Sequence, residues 1–252
     1  MSEAYLSGKV ALVTGGSRGI GAATSKRLAA DGAMVLVNYA KNAAAAKKVV
    51  DEIVAAGGKA AAIAGDVGTP EGVAALLEAI DKQHGGRVDI LVNNAGVFIT
   101  GDSDQRPDVE LDATFDVNVR GPYHLSREIA KRMPDGGRII NIGSGVGERV
   151  PMGGMTVYAA SKFAIAGITH GLAQDYAKRG ITVNLIQPGP IDTDMNPADP
   201  SKNPMADGMK SMIPLGRYGT ADEVAHAIAF FTTPLAGFIT ASTINVDGGW
   251  LA

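Results

Sequence analysis

Cysteine is absent from the 252 residues, which excludes a disulfide framework, an iron–sulfur cluster, a thiolate zinc site and cysteine nucleophile chemistry. Excess positive charge is absent too. With 23 basic against 26 acidic residues the net charge is −3, and no broad cationic surface exists to hold nucleic acid or an anionic membrane. The opening segment MSEAYLSGKV lacks the apolar core of a signal peptide, so a cytoplasmic protein is expected. One long stretch without charge, Val224 to Val246, reaches the length of a membrane span. His226, Thr232, Thr233, Pro234 and Gly237 interrupt it, so it reads as helix, turn and buried strand. No repeat, charge block or low-complexity linker divides the chain, and residues 1–252 are expected to form a single domain around one core.

What is present is an alternation of short apolar runs with segments of helical periodicity. Strands are predicted at Lys9–Thr14, Ala33–Asn38, Ala60–Ala64, Val88–Asn93, Arg138–Gly143, Thr182–Gln187 and Ser242–Val246. Helices are predicted near Gly19–Asp31, Ala43–Ala56, Pro70–Gln83, Pro122–Met133, Val157–Lys178 and Ala221–Phe231, with start signals at Thr69-Pro70 and at Thr220 with Glu223. Strands apolar on both faces and separated by helices imply a doubly wound parallel α/β sheet, Rossmann-like, covered on both sides. The segment Pro188 to Pro214, with six prolines and four methionines, has no periodicity and reads over residues 190–214 as a substrate lid.

The first strand runs through Thr14-Gly15-Gly16-Ser17-Arg18-Gly19-Ile20-Gly21 into a helix. Glycines there let backbone amides approach a pyrophosphate, and the helix N-terminus supplies partial positive charge. Gly15 to Gly19 also satisfies G-x-S-x-G, the nucleophile elbow of serine hydrolases, with His84, His124, His170 and His226 downstream. No motif surrounds any of the four, and an elbow on the first strand leaves no earlier strand for an oxyanion hole, so nucleotide binding is preferred.

Tyr158-Ala159-Ala160-Ser161-Lys162 places a phenol and an ammonium four residues apart on a predicted helix, hence on one face. A cation held there is expected to draw the phenol down toward the working range of a general acid. Tyr5 and Lys9 repeat the spacing before the first strand, away from the carboxyl edge where such sheets bind ligands, and read as a decoy.

TGGSRGIG, Asn93-Asn94-Ala95-Gly96, Asn118, Ser144, YAASK, PGPIDT and the closing VDGG together resemble the short-chain dehydrogenase/reductase family over nearly the whole chain, and 3-oxoacyl-carrier-protein reductases within it. The resemblance implies an oxidoreductase moving hydride between a nicotinamide and a carbonyl or secondary alcohol. It implies Tyr158 as general acid or base, Ser144 as partner of the same oxygen, Lys162 on the nicotinamide ribose and Asn118 in a water relay. It also implies dinucleotide contacts from Gly15, Ser17, Arg18, Gly19, Ile20 and Gly21, from Asn38, from Asp66 and Val67, from Asn94, Ala95 and Gly96, from Tyr158 and Lys162, and from Pro188, Gly189, Ile191 and Thr193. No metal is required. Ser144 stands fourteen residues before Tyr158 with glycine on both sides, which predicts a loosely held serine.

Arg18 is placed to meet a 2′-phosphate, and Asn38 replaces the acid that would bind a ribose hydroxyl, so NADP(H) is the expected cofactor. The substrate is expected to be a small-molecule carbonyl. For docking of an acidic carrier, Arg179 matches one basic position of the family and Asp135 stands where another basic residue is usual. The alternative is a dinucleotide-binding sensor of the same fold. The helix over Val157–Lys178, apolar on several faces, and the uncharged stretch to Val246 predict two self-complementary interfaces and a homotetramer.

Overall fold

The computed structural model describes residues 4–252; the first three residues of the opening segment lie outside the described residues. Seven strands form one parallel sheet: β1 (Val10–Val13), β2 (Met34–Tyr39), β3 (Lys59–Ala64), β4 (Ile90–Asn93), β5 (Arg138–Ile142), β6 (Thr182–Pro188) and β9 (Thr243–Val246), in the order β3-β2-β1-β4-β5-β6-β9. Leu12 lies between Leu36 and Leu91 in register, and all three are fully buried. Such central strands carry no polar face because helices cover both sides. The strand order reverses between β1 and β4, and crevices at that reversal are where open α/β sheets bind ligands.

One face is covered by α1 (Gly19–Ala30), α2 (Ala43–Ala55) and α8 (Ala221–Thr232), through Leu28, Val49, Ile53, Ile228 and Phe231. The other is covered by α3 (Pro70–His84), α5 (Gly121–Ala130) and α6 (Thr156–Tyr176), through Leu76, Ile80, Leu125, Ile129 and Leu172. Both expected helix starts are present. Thr69 accepts the Gly72 amide, and Thr220 with Glu223 forms a reciprocal capping box, contacts of about 1 kcal/mol each.

Element boundaries agree with expectation to within three residues, and several coincide, such as the ends of β3 and β4 and the starts of α1, α2, α3 and α8. One helix went unread altogether: α4 (Asp108–Phe115), which continues into a π-helical turn over Asp116–Arg120. It has no apolar stripe to betray it, since Val109 and Leu111 are exposed and Thr114 is its only buried residue. The irregular segment also holds more order than expected. The two-residue strands β7 (Ile191–Asp192) and β8 (Gly219–Thr220) pair with each other, with α7 (Ala206–Ser211) between them. A third apolar cluster, comprising Val146, Met155, Ala159, Ala206, Ile213, Tyr218 and Trp250, packs this segment over the carboxyl edge of the sheet.

Candidate active site

The glycine turn is built on contacts too close for side chains. A Cβ on Gly15 would stand 3.0 Å from the Ala95 Cα, and Gly15 itself has φ +59°. A Cβ on Gly21 would collide with the Gly15 carbonyl and the Asn94 amide. Thr14 ties the turn to the end of β4: its hydroxyl accepts the Asn94 and Ala95 amides at 2.9 and 3.0 Å. Asn94 Nδ2 donates back to the Thr14 and Gly15 carbonyls. Opposite, a Cβ on Gly19 would lie 3.2 Å from Thr193 Cγ2, and one on Gly96 would lie 3.8 Å from Lys162 Nζ. The glycine turn, Asn94-Ala95-Gly96, Lys162 and Thr193 therefore surround one cleft at the carboxyl edge. Pro188 and Ile191 are buried at its wall, and Asp66 and Val67 follow β3 at its far side, with Asp66 Oδ1 accepting the Gly68 amide.

The chemistry-bearing residues line the same edge. Tyr158 and Lys162 lie one helical turn apart on α6, with the ammonium 5.6 Å from the phenol ring centroid. Lys162 is 7% exposed, and its Nζ donates to the Ile142 carbonyl at 3.0 Å. Ser144 follows β5; its hydroxyl accepts the Val146 amide at 3.3 Å and lies near enough to Tyr158 to oppose the rise of the phenol. Phe98 meets the Tyr158 ring edge-on, centroids 4.8 Å apart. Asn118 sits in the π-helical turn, where its side chain accepts the Val97 amide and donates to the Val97 carbonyl and to Ser161 Oγ. Ser161 in turn donates to the Tyr158 carbonyl. Asn118 thus locks the loop after β4 to the helix of the tyrosine, and its amide has little left for a relay.

Several expectations need correction. Burial pushes the Tyr158 phenol above its ordinary range, with only the Ser144 hydrogen bond opposing, and it brings Lys162 down to about 8. Desolvation is thus the largest cause of both shifts. Asn38 is turned inward and 2% exposed. Its Nδ2 donates to the Ile63 and Gly65 carbonyls, its Oδ1 accepts the Gly15 amide, and its carbonyl accepts that of Gly16. It holds the glycine turn against β3, while Tyr39, one residue on, is half-buried on the opposite face of the sheet, on the α1 and α2 side. The glycines around Ser144 do not loosen it. Gly143 donates to Ile186, a Cβ on Gly145 would strike the Trp250 ring at 2.8 Å, and one on Gly147 would strike the Lys162 backbone at 2.8 Å. Arg179 is paired with Asp135 at 3.0 Å and donates to the Ala130 and Met133 carbonyls, capping α5 beside the start of β6, at the amino edge. Arg18 is exposed at the start of α1, with no side-chain hydrogen bond there.

Sequence reasoning missed Thr14 and a buried chain below the site. In that chain Asn93 Nδ2 donates to Ser126 and Asn141, and Asn141 Nδ2 donates to Thr169 on α6. The only available signal was polar residues inside otherwise apolar runs. No histidine hydrogen-bonds Ser17 among the described residues, and His226 contacts its own helix at Asp222, so no hydrolase triad is assembled there.

A dinucleotide fits this cleft. The glycines at 15, 16, 19 and 21 let the turn pack closely on β4 and keep its backbone amides open to a diphosphate, α1 points its N-terminus into the cleft, and no carboxylate lies in the turn. Among the described residues no group of acidic or histidine side chains could hold a metal, and no helix is long and apolar enough to cross a membrane.

Residues 15–251 match the family model described as enoyl-(acyl carrier protein) reductase. The chain is 42% identical to a cyclic-di-GMP-binding biofilm dispersal mediator protein of Escherichia coli, over 96% of this chain and 97% of that one. It is also 42% identical to a 3-oxoacyl-[acyl-carrier-protein] reductase of Synechocystis, over 97% of each. A short chain dehydrogenase from Burkholderia cenocepacia, solved in complex with NADP, superposes with a TM-score of 0.94 at 48% identity, covering 98% of this chain and all of that one.

Proposed function

The chain belongs to the short-chain dehydrogenase/reductase family, and we propose that it is an NADP(H)-dependent oxidoreductase acting on a small-molecule carbonyl or the corresponding secondary alcohol. The observation that carries this reading is the meeting of Ser144, Tyr158 and Lys162 with the glycine cradle at one sheet edge. When bound, the nicotinamide supplies or accepts the hydride. Gly15, Ser17, Gly19, Ile20 and Gly21 would hold the diphosphate with α1 behind them, Asp66 and Val67 the adenine end, and Asn94, Ala95, Gly96, Pro188, Gly189, Ile191 and Thr193 the nicotinamide end. Arg18, free at the mouth, would take the 2′-phosphate, with no acid at Tyr39 to repel it.

The Ser144 and Tyr158 hydroxyls suit one carbonyl oxygen, the serine as donor and the phenol as proton source. Burial makes the Tyr158 phenol hold its proton more tightly than an ordinary tyrosine does. Lys162 would replenish charge beside the phenol, and Asn118, its side chain engaged, would serve a relay through its backbone carbonyl. Met195, Met205 and Met212, exposed on the segment over the site, suit a lid over residues 190–214 that adapts to apolar substrates. Leu235 and Phe238, almost fully exposed beside the edge strand β9, and Phe163, exposed on α6, support assembly into a homotetramer. Light scattering at the 25.8 kDa of one chain would overturn that assembly.

NADPH oxidation against a panel of ketones, aldehydes and a 3-oxoacyl thioester tests the activity. Consumption with at least one carbonyl, abolished in Tyr158→Phe, supports it. Tight NADPH binding without turnover would instead favour a dinucleotide-binding regulator of the same fold.

A further inference from the structure

The single tryptophan of the chain lies next to the proposed catalytic serine in space, although more than a hundred residues separate them. We propose that Trp250 is a positioning residue that clamps the Ser144 turn and ties it to the lid. The inference rests on the oxidoreductase reading above, in which Ser144 holds the carbonyl oxygen.

The turn Gly145–Gly147, capped by Ser144, is short and made mostly of glycine, so neighbours must hold it. On one side the α6 backbone does so, since a Cβ on Gly147 would stand 2.8 Å from the Lys162 carbonyl. On the other side the indole does so. A Cβ on Gly145 would stand 2.8 and 2.9 Å from its Cζ3 and Cε3 carbons, which puts the six-membered ring against the backbone that follows Ser144. Trp250 is 8% exposed and is itself anchored: Asp247 accepts the Gly249 and Leu251 amides, both at 3.0 Å, and the Trp250 amide donates to the Asp247 carbonyl. A large ring with two side-chain torsions, fixed at its base, is a stiff wall.

The same segment grips the lid. The Leu215 amide donates to the Gly248 carbonyl at 3.1 Å, and Cβ atoms on Gly248 and Gly249 would meet Ile213 at 2.8 Å and Pro214 at 3.1 Å. A groove of about 290 Å³ between Trp250, Met212, Pro214 and Arg149 leaves space on the far side of the ring. Residues 213–215 thus pack on the backbone that carries Trp250, whose ring meets the turn after Ser144.

The test is a double-substitution cycle on the full-length protein with NADPH and an accepted carbonyl. Trp250→Ala is expected to lower kcat on the order of 10- to 100-fold while NADPH affinity stays within about twofold, because the dinucleotide cradle does not touch the ring. Trp250→Phe should restore most of the loss. Gly145→Ala should lower kcat and shift the indole emission in the native background, yet cost little more in Trp250→Ala, where the new methyl has room. Unchanged kcat in Trp250→Ala, or losses that simply add, would overturn the proposal. If Trp250→Ala does not fold, Gly145→Ala alone decides through emission and kcat, and native values of both would overturn it. A native protein that reduces no carbonyl refutes the oxidoreductase reading instead, recognisable because the emission shift in Gly145→Ala persists.

Discussion

Tyr5 with Lys9 and Tyr158 with Lys162 share one spacing and occupy opposite edges of the same sheet. Tyr5 sits in a turn, 36% exposed, and donates to Asp31 at 2.9 Å, while Lys9 pairs with Asp89 at 3.3 Å. Tyr158 and Lys162 share a helix face, and the ammonium is buried without a carboxylate. Burial raises both phenols above their ordinary range, so the shift by itself does not mark a catalytic group. The difference lies in the surroundings. At the amino edge Tyr5 and Lys9 face the carboxylates of Asp31 and Asp89 and hold chain ends together, whereas the carboxyl edge keeps a buried cation without a carboxylate, the Ser144 and Tyr158 hydroxyls and a glycine-rich turn in one cleft.

The largest expected contrast is catalytic. Tyr158→Phe should lower turnover by roughly 10²- to 10⁴-fold with NADPH titration unchanged, while Tyr5→Phe stays within about twofold of native. Comparable losses in both variants would erase the distinction between the edges.

Next comes the cradle. Tyr39→Asp should shift preference from NADPH toward NADH by about one to two orders of magnitude, since a carboxylate at the mouth repels the 2′-phosphate. Asn38→Asp should weaken both dinucleotides together, because a carboxylate cannot donate to the Ile63 and Gly65 carbonyls and the glycine turn loses its support. Paired titrations of each variant separate the two positions.

Stability should move against function at Lys162. Its folded pKa, about 8, lies below the unfolded value, so the unfolded chain binds that proton more tightly and the native state is penalised below pH 8. Lys162→Met should end turnover yet raise stability of the cofactor-free protein at pH 7, by up to roughly 3 kcal/mol. The gain should fade as pH climbs from about 8 to the ordinary lysine range, as denaturant midpoints across that window would reveal. A loss of stability at pH 7 would show that the contact to Ile142 outweighs desolvation.

The smallest effect belongs to the amino edge. Asp89 is buried just before β4, beside the start of β1; against the cost of its burial, Arg87, the Val10 amide and Lys9 hold it below the usual carboxylate range. A depressed carboxylate stabilises above its unfolded pKa, and that contribution is lost as pH falls through the folded one. Asp89→Asn should therefore lower the melting temperature by a few degrees at pH 7, flatten the acid limb and leave kcat intact. A change in kcat would mean that the two edges are coupled.

The alternation of apolar runs and helical periods, the glycine turn and the Tyr158–Lys162 spacing were legible along the chain because each depends on residues within a turn or two of one another. From these follow the doubly wound sheet and its ligand-binding edge. Only the tertiary structure decided that Asn38 faces inward, where a one-residue step along a strand exchanges the two sides of the sheet. It alone placed Asn118 in a π-helical turn behind a helix with no apolar stripe, and it alone laid Trp250 on Gly145. Those placements depend on which strands and loops become neighbours, a long-range choice made by burying apolar surface on both faces of the sheet at once, and local sequence carries little trace of it.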